Sequence, residues 1–183
     1  MIQPDKGKIL ISEPFLPDPN FERTVVLVCD HNEDGTFGLV LNKPSHLKLN
    51  DVIQEVVSDN QLLYLGGPVE QNTLHYIHRL GEIIDDSIPL GNGLYWSGNF
   101  EQVKQLVNIQ AIQPDDIRFF VGYSGWSKGQ LDQELSSKSW FVSDAGGNDI
   151  FDLEPDQLWR GILKKMGGKY KMYANFPLDP RLN

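Results

Sequence analysis

The sequence predicts one mixed α/β domain, on three observations. Short β-branched and aliphatic runs recur along the chain, separated by stretches whose apolar residues repeat at helical spacing. The 183 residues fit one domain, and no low-complexity linker or internal repeat divides them. Hydrophobic residues at 40% and charged residues at 22% are the composition of a soluble globular protein whose core needs no metal or disulfide.

Lys8 to Ser12 is a short apolar run, hence a strand, ending before a turn-rich stretch with Pro14, Pro17, Asp18, Pro19 and Asn20. Thr24 to Cys29 is almost continuously apolar, as a strand buried on both faces is, and Phe37 to Asn42 is a second such run. Between them the polar stretch Asp30-His31-Asn32-Glu33-Asp34-Gly35 closes a hairpin. Leu49, Ile53, Val56 and Val57 share one face of a helix over Leu49 to Val57, with Asn50 as its cap. Leu62 to Leu65 is a strand running into the tight turn Gly66-Gly67-Pro68-Val69, and Leu74 to Leu80 is another strand. Residues 87–100 carry no charge and are punctuated by Gly91, Gly93 and Gly98. Asn99 with Gln102 forms a capping box for a helix whose apolar stripe is Phe100, Val103, Leu106 and Val107. Ile117 to Tyr123 is a strand, followed by a glycine loop and a short helix from Gln130 to Leu135. Trp140 to Val142 is a brief strand. Pro155 opens a last helix with Leu158, Trp159, Ile162, Leu163 and Met166 inward, and Gly167-Gly168 ends it.

The longest apolar runs, such as Val25 to Cys29, are far short of the ~20 residues of a bilayer span, and the start at Met1-Ile2-Gln3-Pro4 lacks the apolar core of a signal peptide. One cysteine excludes an internal disulfide and fits a reducing cytoplasm, where the protein is expected. The net charge of −9 is unevenly spread: residues 1–159 hold 10 basic and 24 acidic side chains, a net of −14. The remainder carries Arg160, Lys164, Lys165, Lys169, Lys171 and Arg181 against Asp179. An acidic body repels a duplex, so a nucleic-acid partner is not expected. Arg160, Lys164 and Lys165 fall where the last helix ends and offset its dipole.

Each motif that suggests chemistry has a competing explanation. Asp30-x-Asn32-x-Asp34-Gly35 matches half of a calcium loop, but position twelve, where a bidentate glutamate belongs, is Leu41, and the flanks are strands. Cys29 and His31 are two apart on a strand, ~7 Å, with parallel side chains. A base for the thiol must therefore come from elsewhere, such as His75 or His78, and buried cysteine is otherwise a small apolar filler. His75 and His78 point to opposite faces of a strand, and one cysteine with four histidines is a thin ligand supply, so no metal is expected. Gly122-Tyr123-Ser124-Gly125-Trp126 matches part of a nucleophile elbow but has Trp126 where the sharp turn uses a second glycine, and no histidine follows it. Gly122, Gly125 and Gly129 could aim main-chain N–H groups at an anion, or simply turn the chain.

Together these stretches resemble one family, the AlgH-like (YqgE-like) family of small bacterial proteins. The resemblance is carried by Gly7 to Leu10, FERTVVLVCDH over Phe21 to His31, GLVLNKP over Gly38 to Pro44, and GGPV over Gly66 to Val69. It continues through GYSGWSKGQLDQEL over Gly122 to Leu135, then Trp140, Phe151-Asp152 and Trp159. The ending Asn175 to Pro180 resembles the branch without a Gly-His-Ala-type tail. The resemblance implies a mixed, bifurcated sheet containing a small closed barrel and surrounded by helices. Some members have been called transcriptional regulators, a label from genetics. It implies no cofactor and assigns no catalytic residue, and its pattern accepts alanine at the position of Ser124.

The function expected is a non-catalytic binding or regulatory module for a small molecule or protein. Its surface cleft is expected at Arg23, Asn42, Gly66, Gly67, Tyr123, Trp126 and Gln130, which combine aromatic walls, polar groups and glycine backbone. The rival is a hydrolase or thiol enzyme that uses Ser124 or Cys29 with a histidine.

Overall fold

The chain opens on Lys8–Ser12 (β1), where Ile9, Leu10 and Ile11 are all buried because the strand is paired on both edges and covered on both faces. The architecture is that of a computed structural model, which describes residues 2–179 and 181, the side chains of 147–149 excepted; Met1 and Pro180 lie outside the described residues. Val25–Asn32 (β2) and Gly35–Val40 (β3) make the expected hairpin, with only Glu33 and Asp34 as its turn. Then come Pro44–Lys48 (β4), Leu49–Val52 (α1), Leu62–Leu65 (β5), Val69–His78 (β6), Ile88–Gly91 (β7) and Leu94–Trp96 (β8). Phe100–Asn108 (α2), Ile117–Ser127 (β9), Gln130–Ser136 (α3), Trp140–Asp144 (β10), Gly147–Asp152 (α4), Pro155–Met166 (α5) and Gly168–Tyr173 (α6) complete the chain.

The main path of the sheet runs β10-β1-β2-β3-β9-β6-β8-β7, and β4-β5 joins it at β9. Along one edge, β9 pairs first with β5 in parallel, at Phe119 to Val121, and then with β3 antiparallel, at Ser124 to Ser127. Its other edge carries β6. The sheet is therefore bifurcated, as the resemblance implies. The closed barrel is not present: among the described residues β10 and β7, the two ends of the path, do not pair. Closure requires the terminal strands to meet, whereas β9 gives one edge to two partners in succession and splits the sheet into branches.

Three apolar clusters fill the layers. Odd-numbered residues of β1 to β3 (Ile9, Ile11, Val25, Leu27, Leu39) pack with Phe120, Ile77 and the inner face of α5. The even-numbered Leu10, Val26, Val28 and Val40 pack with Trp126, Leu131 of α3 and Trp140. Leu63, Tyr76, Ile117 and Phe119 pack with Val103 and Val107 of α2. This period-2 alternation is why the early runs read as strands covered on both sides.

Several boundaries differ from the sequence expectation. The Leu49 to Val57 helix stops at Val52, where Ile53 is extended, and its N-cap is Lys48 rather than Asn50. β-branched Val52, Ile53, Val56 and Val57 crowd a helix; Leu49, Ile53 and Val56 still pack into one cluster from the irregular segment, whereas Val57 is 76% exposed. The Asn99 side chain accepts from Gln102 N–H, but the Gln102 amide goes to Asp85 instead of returning to the cap, so only half of the capping box forms. The largest change is at β9, which continues as strand through Gly122 and Gly125 to Ser127, removing the expected glycine loop. The helix from Pro155 to its Gly167 cap is as expected, but it is not the last: α6 starts at Gly168, the second of the two glycines expected to end the helical run.

Candidate functional site

Since β9 stays extended, Tyr123 and Trp126 fall on opposite faces of the sheet. Tyr123 stacks on Phe37 at 4.6 Å in the cluster beneath α5, whereas Trp126 lies in the cluster beneath α3. The seven residues expected to share a cleft occupy three neighbourhoods. Arg23 and Asn42 meet at one corner, where Asn42 Nδ2 donates to Arg23 O at 2.9 Å and Asn42 Oδ1 accepts from Val25 N–H at 3.0 Å. Arg23 Nη2 donates to the carbonyls of Phe176 and Pro177, and its guanidinium lies 4.9 Å from the Trp159 ring. Burial and neighbouring Arg160 hold its pKa below the usual arginine value.

Gly66, Gly67 and Tyr123 form the second neighbourhood, at the junction of β5, β6 and β9. Gly66 N–H donates to Val121 O, and Gly66 O accepts from Val40 N–H. Gly67 has φ +156°, and a Cβ there would stand 2.2 Å from the Tyr123 carbonyl. The strand passes too close to admit any side chain.

Trp126 and Gln130 form the third and share a groove of about 270 Å³, lined also by Leu16, Phe21, Glu134 and Trp140. Glu134 organises it. Its Oε2 accepts both indole N–H groups, Trp126 at 2.8 Å and Trp140 at 2.7 Å, while its Oε1 accepts from Gln130 Nε2 at 2.9 Å. Gln130 Oε1 in turn accepts from Ser127 N–H at 3.0 Å, tying the start of α3 to the end of β9. Phe21 packs edge-on against Trp140 at 5.4 Å. The result is an aromatic floor whose polar rim is fixed before any ligand arrives. Glu134 and Trp140 are not among the seven residues expected in the cleft; the signal for them in the sequence is the helical spacing Gln130-x-x-x-Glu134 next to two tryptophans.

The reactive-looking groups are engaged elsewhere. Ser124 is fully buried within β9 and its hydroxyl donates to Gly66 O at 3.1 Å, so the nucleophile-elbow geometry is absent. Cys29 is fully buried, and burial beside Asp30 pushes its thiol pKa up, away from the thiolate. His31 Nδ1 lies 2.7 Å from Thr36 Oγ1. His78 Nε2–H donates to Ser97 O at 2.7 Å while its Nδ1 accepts from Leu80 N–H at 3.1 Å, an arrangement that fixes a neutral ring. Half-buried His75 contacts Thr73, Phe37 and Tyr123. Burial lowers the pKa of both His75 and His78. Gly122 and Gly125 lie in β9 and only Gly129 stands at the start of α3, so the three do not converge as an anion loop. Among the described residues no group of three or more His, Cys, Asp or Glu could hold a metal. No helix among them is long and apolar enough to cross a membrane.

Comparison with known proteins supplies the family. A family model described as AlgH-like matches residues 9–171. The chain is 47% identical over 179 residues to a UPF0301 protein of Cytophaga hutchinsonii, covering 97% of this chain and 98% of that one. It is 42% identical to a UPF0301 protein of Bacteroides fragilis, covering 100% and 93%. The solution structure of the AlgH protein from Pseudomonas aeruginosa superposes with a TM-score of 0.74 at 29% identity, covering 97% of this chain and 98% of that one. A crystal structure of a Corynebacterium diphtheriae protein gives 0.77 at 26%, covering 96% and 94%. On the family match, the relatives aligned over nearly their whole length and the shared fold, this chain belongs to the AlgH-like family.

Proposed function

We propose that this AlgH-like protein is a cytoplasmic, non-catalytic binding module whose ligand sits in the groove between Trp126, Gln130 and Trp140. The observation that carries the reading is the Glu134 carboxylate accepting two indole N–H groups and the Gln130 amide at once. Three side chains held by one acceptor make a rigid recognition surface, and such preorganisation lowers the entropic cost of binding. The reading is supported by the engagement of Ser124 with Gly66 and by the burial of Cys29, which leave the hydrolase and thiol readings without an activated nucleophile. A regulatory role through duplex binding is not favoured. The body is acidic, and Lys164 and Lys165 occupy the last turn of α5, where they offset its dipole.

The test is a titration of isotopically labelled protein with a deproteinised small-molecule extract of bacterial cells, following the indole N–H resonances. Those of Trp126 and Trp140 are expected to move while those of Trp96 and Trp159 stay. No movement, or all four moving together, overturns the reading.

A further inference from the structure

The geometry points to a second site: a pocket at the entry of β5 and β9 that binds a monoanionic carboxylate through Arg118 and Gln61. The pocket, about 150 Å³, lies between the starts of these two parallel strands and the corner from α4 into α5. It shares no lining residue with the Trp126 groove. Arg118 is 7% exposed and comes from β9, on the face where Phe120 packs beneath α5. The Tyr64 ring centroid lies 4.5 Å from its guanidinium carbon and that of Phe151 5.6 Å. Rings against a planar guanidinium leave its in-plane N–H groups as the remaining donors. One of these, on Nη1, donates to Leu41 O at 3.0 Å. Among the described residues, no carboxylate forms an ion pair with Arg118. Burial lowers its pKa, and the field of Asp115 and Glu154, neither of which is paired with it, only partly opposes that shift.

Gln61 lines the same pocket, is 1% exposed, and its Nε2 has no hydrogen-bond partner among the described residues. A buried donor left unmade is destabilising, so this amide calls for an acceptor. Arginine offers donors only, and the atom left over on Gln61 is a donor too. The complement is an oxygen-rich acceptor, and a carboxylate matches a guanidinium edge with two coplanar oxygens. The surrounding charge selects a monoanion. Arg79, 4.5 Å from the Phe151 ring centroid and paired with Asp152, adds a second cation nearby. Asp115 and Glu154 line the mouth and oppose a dianion more strongly. The volume suits a carboxylate with a short tail, since drug-sized ligands occupy roughly 300–1,000 Å³.

The experiment titrates the labelled full chain with sodium acetate and with N-acetylglycine, a mimic of a peptide C-terminus, at constant ionic strength, with chloride and sulfate as controls. The Gln61 side-chain amide pair is identified by its disappearance in Gln61→Met. A saturable shift of that pair by acetate or N-acetylglycine, absent with chloride and sulfate, is the expected result. Tighter binding of N-acetylglycine assigns a peptide terminus, and tighter binding of acetate a free short acid. Arg118→Lys is expected to weaken binding about tenfold or more, the size of one charged hydrogen bond. Gln61→Met removes the orphan amide and is expected to keep the melting temperature while losing a similar factor, read at the Arg118 Nε–H resonance. It therefore carries the test even if Arg118→Lys does not fold. A shift linear in concentration, one reproduced by chloride or sulfate, or undiminished binding to Gln61→Met overturns the proposal. None of these outcomes bears on the tryptophan groove.

Discussion

Ser124 and Asn42 show what polar side chains do at the junctions of this sheet: each completes main-chain hydrogen bonding. Ser124 Oγ–H donates to a carbonyl that already accepts from Val40, and Asn42 closes the corner between Arg23 and Val25 with one donor and one acceptor. The Ser124 proton is thus committed to a carbonyl and not to a base, and Cys29 is removed from solvent with its thiol favoured over thiolate. Folded protein treated with a fluorophosphonate and with iodoacetamide is therefore expected to remain unmodified at both Ser124 and Cys29, with Cys29 alkylated only after denaturation. Mass spectrometry reads the outcome, and labelling of either residue in the native state contradicts it. The residue types were visible in the sequence, but their engagement was not. A serine between two glycines has the same letters whether it caps a turn or lies inside a strand.

At the scale of elements, β9 decides most of the site. Its residues serve all three apolar clusters, with Ile117, Phe119 and Val121 in one, Phe120 and Tyr123 in a second and Trp126 in the third, so Tyr123 and Trp126, three positions apart, are separated by the sheet itself. Gly122 (φ +70°) lets the strand adjust where its β5 and β3 pairings succeed one another, and Gly67 lets β6 start against it. A Cβ at Gly67 would meet Tyr123 backbone at 2.2 Å, a contact no rotamer change can relieve. Gly67→Ala is expected to destabilise the fold by at least about 2–3 kcal/mol, at the severe end of single substitutions. Chemical denaturation measures this, and a loss below about 0.5 kcal/mol would mean that the junction yields easily. The forked pairing was not legible from local periodicity, because a strand's letters give its two faces and say nothing of which neighbours take its edges.

For the whole molecule, pH is the informative variable. His75 and His78 both have pKa values lowered by burial from the ordinary 6.5. The unfolded chain therefore binds more protons than the folded one as pH falls through that region, and stability rises with pH there. The melting temperature is expected to be flat above about pH 7 and to decline as pH drops below 6.5, down through the depressed folded values. A calorimetric series across this range checks the sign, and a melting temperature that climbs on acidification contradicts it.

The mixed α/β class, the β2–β3 hairpin and the helices α2 and α5 can be read from the order of residues alone, and the family from its motif stretches. The elements rest on local chemistry: period-2 and period-3.6 burial, the Asn99 side-chain cap, and the Pro155 start and Gly167 end of α5. It takes the assembled fold to carry β9 on through its glycines, to fork the sheet instead of closing it, and to gather Trp126, Gln130 and Trp140 around Glu134. The fold also brings Gln61 and Arg118, 57 positions apart, to one pocket. Contacts between distant segments depend on which strand edges pair, and that choice is made by the energy of the assembled molecule, not by any window of neighbouring residues.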